Sequence, residues 1–598
     1  MAELLWNRKY DATGRRTAPA RTALPLQSVE SVDGTTQQPA PDRREQGGVA
    51  PWRNRLIWGD THAVLPSLLP EFAGTVDLIY IDPPFSTGAN FSCTTEIPHV
   101  DAIVTNEPAV IARKAYRDSW GRDLDGYLHW FYETVVLLHD LLSATGSVYV
   151  HLDWHVGHYA RAVLDEVFGR EHFLNEVIWW YYNKLQGNIN RFPSNHDVIF
   201  WYRKSERFVF HPQQEPREQK IRQIRRIWDR EKGKLVNLKN DEGHVVFQES
   251  SSRGVDDVWR LSMLQPADKQ NLGYATQKPE PLLERIVRAS SDEGDLVLDC
   301  FCGSGTTAAV AERLNRRWIT CDLGRFAIQT TRKRLLAMPC VRAFVVQTLG
   351  TYERQAWQAV EFSAAGPGVD QQTAYRRFIL DLYHATPVEG YAHLHGVKDG
   401  RFVSVGSVDA AVTVADVQAI ACECRSAGGA EAPTSSAVDV LGWDFAFDPH
   451  QAARAIGAAT KVLLAFRQIP REVLEKKAVE QGDIRFFAPA ALTLDVSAAA
   501  RAVTLALSDF TMSLDDLPSH VLRTITHWSQ LIDYWAVDWH FQGDTFHNCW
   551  QSYRTRADPT LQRQATHQYA QAGPYRIMVK AIDLLGTETI ASRIVEVP

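Results

Sequence analysis

Four consecutive residues, Asp82-Pro83-Pro84-Phe85, bring together groups with different chemical uses. The Asp82 carboxylate accepts hydrogen bonds, proline fixes the backbone beside it, and Phe85 offers a flat ring. An apolar run from Val76 precedes them, and two prolines cannot continue a β-ladder, so the run predicts a buried strand that ends at Asp82. Ligands bind at that carboxyl edge of open α/β sheets. A strand followed by an ordinary turn, with Phe85 in the core, fits the tetrapeptide alone equally well.

A second stretch predicts a ligand-binding turn. An apolar run that ends at Leu298 leads into a glycine-rich turn and then into a predicted helix, and Asp322 ends the next apolar run. Gly303 and Gly305 permit a tight turn close to a ligand, and the spacing to Asp322 suits an acid that binds ribose hydroxyls. The third glycine of a dinucleotide site is missing and no Gly-Lys-Ser/Thr occurs, so an adenosine-type cofactor fits better than NAD or a P-loop nucleotide. The candidate cofactor residues here are Asp299, Phe301, Cys302, Gly303, Ser304, Gly305, Thr306, Thr307 and Asp322.

The elements that must position these residues alternate between strands and helices. Besides the strand before Asp82, the apolar patterns predict strands over 55–58, 148–152, 296–298 and 318–321. They predict helices over 62–69, 127–142, 161–168 and 306–314. This alternation is typical of an α/β domain with a largely parallel, Rossmann-like sheet.

Together these stretches resemble the amino-methylating DNA methyltransferases that use S-adenosylmethionine. In that family an Asp/Asn/Ser-Pro-Pro-Tyr/Phe motif carries the catalysis and a Phe-x-Gly-x-Gly turn holds the cofactor. The catalytic motif comes first here, as in the permuted β group, and the chain is similar to modification subunits of type III-like restriction systems. The resemblance covers roughly residues 52 to 340. It adds further candidate cofactor residues, which are Asp60 for the adenine and Thr276, Lys278 and Pro279 of a Thr-x-Lys-Pro motif.

The resemblance implies transfer of a methyl group from S-adenosylmethionine to an exocyclic amine of a DNA base. Asp82 and the Pro83 carbonyl would accept hydrogen bonds from the amine, and Phe85 would stack on a base that has left the duplex. Asp in the first motif position favours N6 of adenine over N4 of cytosine, which is the alternative. A protein or RNA methyltransferase is a second alternative, but related enzymes of that kind place the cofactor motif first. A scaffold without activity is disfavoured because Asp82 and both turn glycines are intact.

A basic stretch lies between the two motifs. Residues 211–240 hold nine lysines and arginines against four acids, in a chain whose net charge is −7. Its position matches the family's target-recognition insert, here predicted over 205–270, and phosphate contacts from it would position double-stranded DNA. A solvated charged helix is the alternative. The candidate DNA-binding residues are Arg217, Arg222, Arg225, Arg226 and Arg230.

The length of 598 residues predicts several domains. We expect a disordered tail over 1–50, a methyltransferase domain over 51–345, a small α/β domain over 346–490 and an immunoglobulin-like β-sandwich over 491–598. A restriction or helicase subunit and a second copy of the chain are candidate partners.

Eight cysteines show neither zinc-ligand nor disulfide spacing, and Asp153, His155 and His158 fit no known ligand set, so no metal is expected. The sequence has no apolar run of membrane-spanning length and no signal-peptide core. We expect a cytoplasmic protein without membrane contact.

Overall fold

A computed structural model describes residues 3–33, 52–85, 90–96, 110–117, 123–184, 190, 192–230, 232–363, 370–427, 436–446, 448–480, 482, 484–513, 523–543, 545–555 and 558–598. The strands of the first 350 residues are β1 (Gln27–Val32), β2 (Asn54–Trp58), β3 (Val76–Ile81), β4 (Asn90–Glu96), β5 (Val110–Arg117), β6 (Leu142–Leu152), β7 (Phe173–Trp180), β8 (His196–Arg203), β9 (Gln214–Ile224), β10 (Arg226–Asp229), β11 (Lys234–Asn237), β12 (Phe247–Gly254), β13 (Val258–Arg260), β14 (Leu296–Asp299), β15 (Arg317–Asp322) and β16 (Phe344–Thr348).

The strands of the remaining chain are β17 (Thr386–Pro387), β18 (Gly396–Lys398), β19 (Arg401–Val405), β20 (Ala437–Gly442), β21 (Leu463–Gln468), β22 (Ala491–Ala499), β23 (Ala502–Thr511), β24 (Ile532–Asp538), β25 (Phe546–His547), β26 (Trp550–Tyr553), β27 (Gln564–Gln568), β28 (Gly573–Asp583) and β29 (Glu588–Val597). The α-helices are α1 (Thr61–Phe72), α2 (Leu124–Leu141), α3 (Gly157–Phe168), α4 (Glu280–Ser290), α5 (Thr306–Arg313), α6 (Arg325–Leu336), α7 (Gly350–Glu361), α8 (Gln371–Leu382), α9 (Val414–Ser426), α10 (Pro449–Thr460) and α11 (Lys476–Glu480).

An eleven-stranded sheet, built from the first 350 residues with β25 added from the C-terminal part, has the order β13-β7-β8-β6-β3-β14-β15-β2-β16-β1-β25. The strands from β6 to β16 in this order are parallel. Strand β8 runs antiparallel to both β6 and β7, and β1 runs antiparallel to β16 but parallel to β25. The inner strands are short and apolar, and every residue of β14 is buried. A parallel sheet of this kind must be covered on both faces.

Helices cover the central sheet on its two faces. On one face α1, α2 and α3 pack on Ile57, Ile79 and Ile319, and on the other α4, α5 and α6 pack on Leu56, Leu78 and Val297. The side chains alternate between the faces because successive residues of a strand point to opposite sides. The predicted α/β class with a largely parallel, Rossmann-like sheet is therefore confirmed.

The N-terminal segment corrects one expectation. Residues 3–33 do not form a disordered tail, because Trp6 and Lys9 are buried and β1 pairs antiparallel with β16. The Trp6 ring lies 5.7 Å from that of Tyr132, and the Lys9 ammonium lies 2.7 Å from the Glu166 carboxylate. The polar composition of this segment gave no indication of the β1 strand or of the buried Trp6 ring. Residues 34–51 lie outside the described part of the chain.

Two further sheet systems follow the catalytic half. A five-stranded sheet, β17-β18-β19-β20-β21, carries a parallel trio from β19 to β21 and is covered by α8, α9 and α10. Near the C-terminus the antiparallel sheets β22-β23-β27 and β26-β24-β28-β29 enclose a shared apolar core with Trp535 and Trp539. The predicted small α/β unit and β-sandwich are thus present. Within the described residues, no helix is long and apolar enough to cross a membrane.

Candidate active site

The two chemically interesting stretches meet at one edge of the central sheet. Strands β3 and β14 are parallel neighbours, with Val297 beside Leu78 and Leu298 beside Ile79. Both strands therefore end at the same edge, where the Asp82 tetrapeptide and the glycine turn face one cleft. Ligands of open α/β sheets bind at this position.

The two carboxylate oxygens of Asp82 differ in their hydrogen bonding. Its Oδ2 forms an ion pair with the ammonium of Lys278, which precedes α4. Its Oδ1 is buried and has no hydrogen-bond partner among the described residues. Because burying an unsatisfied acceptor is costly, Oδ1 is suited to a ligand that donates a hydrogen bond.

Phe85 lies partly exposed above a buried polar network. Its ring is 6.1 Å from that of His151 and 5.5 Å from the Lys278 ammonium. A partly exposed ring beside the Asp82 carboxylate can stack on a flat ligand. Pro83 is buried and Pro84 partly so, which holds the backbone between the two side chains in place.

Sequence reasoning missed the network beneath Phe85. His151 lies between Tyr80, whose hydroxyl is 2.9 Å from Nδ1, and Asp197, whose Oδ2 is 3.3 Å from Nε2. The Tyr181 hydroxyl donates to the other oxygen of Asp197 at 3.2 Å. Burial would raise the pKa of Asp197, but the hydrogen bond and charge of His151 outweigh it and lower that pKa. Tyr80, His151 and Asp197 are far apart in the sequence, so no local pattern indicates their contact.

The glycine turn is shaped by packing. Gly303 and Gly305 have φ angles of 50° and 72°, in the left-handed region that favours glycine. A Cβ atom on Gly305 would lie 2.6 Å from Thr331, whose hydroxyl donates to the Gly303 carbonyl at 3.1 Å. Glycine at 305 is therefore required by both backbone conformation and space.

Several predicted cofactor residues hold the turn itself. Asp299 accepts from the Phe301 amide at 3.0 Å and from the Thr307 hydroxyl at 2.5 Å. Burial raises the pKa of Asp299 to about 7, with the charges of Asp82 and Asp322 adding to the effect. Asp299 therefore holds the turn in place through these two hydrogen bonds.

The Thr-x-Lys-Pro segment is tied to the same turn. The Thr306 hydroxyl donates to the Lys278 carbonyl at 3.1 Å, and Arg334 donates to Thr306 Oγ1 at 2.9 Å and to the Ser304 carbonyl at 3.2 Å. Thr276 is partly buried, and Pro279 is the N-cap residue of α4. In the turn itself, the Cys302 amide donates to the Cys321 carbonyl at 3.0 Å. The structure thus places the Lys278 side chain on Asp82 and its carbonyl on the turn.

Two carboxylates, Asp322 and Asp60, lie at the ends of the strands next to the glycine turn. Strands β14, β15 and β2 are parallel neighbours, and the last two lead into Asp322 and Asp60. Asp322 accepts from the amides of Gly303 and Gly324 at 2.9 and 2.8 Å, and burial raises its pKa to about 6. Asp60 caps α1 through Oδ1, which accepts from the His62 amide at 2.8 Å. The row of turn, Asp322 and Asp60 fits an elongated ligand with an adenosine part, whose hydroxyls and amine are donors.

The basic stretch forms β-structure, so the alternative of a solvated helix is wrong. Strands β9 and β12 form an antiparallel ribbon and β10 and β11 a hairpin. Four of the five candidate DNA-binding arginines are exposed, while Arg217 is partly buried and donates to the Ser252 carbonyl. Two-stranded ribbons of this kind fit the major groove of DNA. The exposed four are Arg222, Arg225, Arg226 and Arg230.

No group of three or more His, Cys, Asp or Glu side chains in the described ranges is arranged to hold a metal ion. The chemistry of the cleft is that of carboxylates, a lysine ammonium and aromatic rings.

Comparison with known proteins identifies relatives of the catalytic half. A family described as DNA methylase matches residues 76–333. The type II methyltransferase M.EcaI of Enterobacter cloacae is 27% identical over 332 residues, which cover 47% of this chain and 69% of that protein. The type II methyltransferase M1.MboII of Moraxella bovis is 32% identical over 208 residues, covering 33% and 75% respectively. The DNA adenine methyltransferase YhdJ of Escherichia coli is 25% identical over 281 residues, covering 47% and 82%.

Among solved structures, the M1.HpyAVI–SAM complex is 18% identical and has a TM-score of 0.31. The match covers 48% of this chain and all of that one.

Proposed function

Since this chain belongs to the DNA methylase family, we propose that it methylates the N6 amine of adenine at specific sites in double-stranded DNA. The methyl donor is S-adenosylmethionine. The observation that carries the proposal is the buried, unpartnered Oδ1 of Asp82 at the end of β3. An amine N–H is the donor that such an oxygen lacks.

The cleft residues fit this cofactor. S-adenosylmethionine supplies an electrophilic methyl group, and the backbone around Gly303 and Gly305 would hold its amino-acid end. Asp322 would accept from the ribose hydroxyls and Asp60 from the adenine, in the order in which their strands lie.

Asp82 and Pro83 would orient the amine of the target base. Its lone pair is conjugated with the ring and is weakly nucleophilic, so hydrogen bonds to Asp82 Oδ1 and the Pro83 carbonyl would turn it toward the methyl group. Lys278 holds Oδ2 and so fixes the plane of the carboxylate. Most of the rate gain would come from this alignment.

Phe85 would stack on the base, which must leave the duplex at a cost of a few kcal/mol. The network of Tyr80, His151 and Asp197 supports the ring from below. The exposed arginines of the β9–β12 ribbon and the β10–β11 hairpin would bind the phosphates around the target.

Adenine is favoured over cytosine by Asp82 in the first motif position and by the similarity to YhdJ, a DNA adenine methyltransferase. The resemblance to type III modification subunits makes a restriction subunit the first partner to test. A second copy of the chain is the other candidate partner, and a dimer would place two β9–β12 ribbons on one DNA. Copurification with such a subunit and sedimentation of the chain alone distinguish these assemblies.

The test of the target base is the composition of host DNA. Expression in a bacterial strain without its own DNA methyltransferases should introduce N6-methyladenine within one short sequence, detected by nucleoside mass spectrometry and single-molecule sequencing. N4-methylcytosine alone would refute the choice of base. Methylated protein or RNA with unmodified DNA would refute the substrate class.

A further inference from the structure

We propose that Trp228 and Leu235, on the β10–β11 hairpin, contact base edges in the major groove of DNA and detect the methyl groups of thymine. The inference rests on the proposed function in one respect, since it takes DNA as the substrate. It does not depend on which base is methylated. It adds an apolar contact to bases beside the phosphate contacts of the exposed arginines.

The register of the hairpin places the two side chains on one face. Strands β10 and β11 are antiparallel, and Trp228 lies directly opposite Leu235. Residues directly opposite each other in such a ladder point to the same side, with Cβ atoms about 5 Å apart. Arg226 and Asn237 form the next pair on that side, two positions further from the turn. The face therefore carries an apolar pair followed by a cation and an amide.

This face is open to solvent over its whole length. Trp228 is 62% exposed and Leu235 is 58% exposed, and Arg226 and Asn237 are exposed as well. A single exposed apolar residue is ordinary on a protein surface, but here an aromatic and an aliphatic side chain lie next to each other. Removing such a pair from water is favourable, so the face is suited to a partner that offers apolar groups.

The charge of the hairpin selects the kind of partner. Residues 225–239 hold six lysines and arginines against two acids, in a chain whose net charge is −7. The cations at and beside the turn, Arg230, Lys232 and Lys234, are exposed. Phosphate groups of DNA complement these charges. The major groove of DNA also presents apolar groups, the C5 methyl groups of thymine, between its two rows of phosphates.

The hairpin is held in a defined position by the β9–β12 ribbon. The Arg225 amide donates to the Val246 carbonyl at 2.9 Å, and the Leu238 amide donates to the Arg225 carbonyl at 2.8 Å. At the other end of the ribbon, Arg285 of α4 pairs with Glu215 of β9 at 3.2 Å. The face is thus carried on a structure that is attached to the catalytic half.

The position of the pair within the hairpin favours base edges over insertion between base pairs. Trp228 and Leu235 lie on the flat side of the two strands, whereas the tip is formed by the turn that contains Gly233. A two-stranded ribbon in the major groove turns one flat side toward the base edges. Apolar side chains on that side meet thymine methyl groups.

The test measures equilibrium binding of the full chain to two mixed-sequence duplexes that include the site methylated in host DNA. One contains thymine, and the other contains deoxyuridine, which lacks the methyl group, at every thymine position. The wild type should bind the uridine duplex about fourfold more weakly for each methyl group that it buries. Trp228→Ala should bind the two duplexes within about twofold of each other. Trp228→Phe, which keeps an aromatic ring, should retain most of the difference.

Ile227→Ala is the matched control for these variants. Ile227 is an exposed apolar residue of the same hairpin, but it pairs with Val236 on the opposite face. Its substitution should keep the wild-type ratio of the two affinities. Any effect of deoxyuridine on the duplex itself is shared by all variants and cancels in the comparison.

Two results would overturn the proposal: equal binding of both duplexes by the wild type, or a wild-type ratio in Trp228→Ala. A wild-type ratio together with slower sedimentation of Trp228→Ala would assign the pair to a contact between two copies of the chain instead. Methyl transfer to the thymine duplex is measured in parallel. Its absence would refute the proposed function, while the ratio of affinities still tests the hairpin contact.

Discussion

Lys278 and Asp82 form an ion pair although 196 residues separate them in the sequence. The pair connects the segment before α4 with the end of β3, and the Lys278 carbonyl simultaneously accepts from Thr306 of the glycine turn. One residue therefore links the Asp82 carboxylate to the turn that would hold the cofactor. From the sequence, the Thr-x-Lys-Pro motif predicted a cofactor contact for Lys278 but not the ion pair with Asp82.

The ion pair predicts a catalytic role for the Lys278 side chain. Lys278→Met keeps the length of the side chain and its backbone contacts, but it frees Asp82 Oδ2 and lets the carboxylate rotate. We expect methyl transfer to DNA to fall by about one to two orders of magnitude, which corresponds to the loss of one hydrogen bond to a charged group. Cofactor affinity should change less than about threefold. A large loss of cofactor affinity at an unchanged maximal rate would instead place the ammonium on the cofactor.

The conformation and packing of Gly305 predict that its substitution reduces both the stability of the fold and cofactor binding. Gly305→Ala adds a Cβ at 2.6 Å from Thr331 and forces an L side chain to a φ of 72°. The conformation costs about 1 to 2 kcal/mol and the overpacking about 1 to 3 kcal/mol more. Gly294→Ala is the matched control, because its φ is 86° but no atom lies within 4 Å of the added Cβ. Equal thermal midpoints for the two variants would show that Thr331 does not restrict the turn.

The exposed arginines of the β9–β12 ribbon and the β10–β11 hairpin predict a change in the salt dependence of DNA binding. Replacing Arg222, Arg225 and Arg226 by alanine should weaken binding to all DNA sequences and reduce the slope of log affinity against log salt by about 0.9 per lost phosphate contact. The control variant changes three exposed arginines of the β-sandwich, Arg501, Arg563 and Arg576, and should keep the wild-type slope. Binding is measured at four salt concentrations on one duplex and on a scrambled one. An unchanged slope would exclude phosphate contacts, and altered preference between the duplexes would indicate contacts to base edges.

The buried Asp299 predicts a pH effect on stability. Its pKa is about 7 in the folded protein and 3.8 as an ordinary carboxyl, so between these values the folded state holds a proton that the unfolded state has lost. Stability therefore falls as pH rises from about 4 to 7. Asp299→Asn should reduce the fall in thermal midpoint between pH 5 and pH 8.

Asp370→Asn is the control for this effect. Hydrogen bonds from Thr373 lower the pKa of Asp370 below 3.8, so this carboxyl titrates outside the range from pH 5 to pH 8. Asp370→Asn should therefore show the same change in thermal midpoint between pH 5 and pH 8 as the wild type. A wild-type pH profile in Asp299→Asn would show that Asp299 is ionised without penalty in the folded protein.

The catalytic half was predictable because its signals are local. Prolines after an apolar run identify the end of β3, and Gly303 and Gly305 identify a turn whose left-handed φ angles require glycine. The ion pair of Lys278 with Asp82 was not predictable, because residues so distant in sequence meet only through the order of strands. The same holds for His151 between Tyr80 and Asp197.

The edges of the molecule were harder to predict. The segment Gln27–Val32 contains too few apolar residues for its alternation to indicate a strand. In the structure its Glu30 carboxylate is buried and pairs with Arg332 at 2.6 Å and with Lys580 at 3.2 Å. Such a pair of cations from α6 and β28 cannot be inferred from one short polar segment. The charge pattern of the basic stretch did not distinguish a helix from the β-ribbon that the structure shows.

The most direct test follows labelled methyl groups from S-adenosylmethionine into duplex DNA, with purified wild type and Asp82→Ala. The wild type should label the DNA, and digestion should release the label as N6-methyladenine. Asp82→Ala should transfer at least about a hundredfold more slowly, since it loses the oriented acceptor of the amine, while its calorimetric affinity for the cofactor stays within about threefold. Unlabelled DNA with the wild type, or transfer by Asp82→Ala at the wild-type rate, would contradict the account.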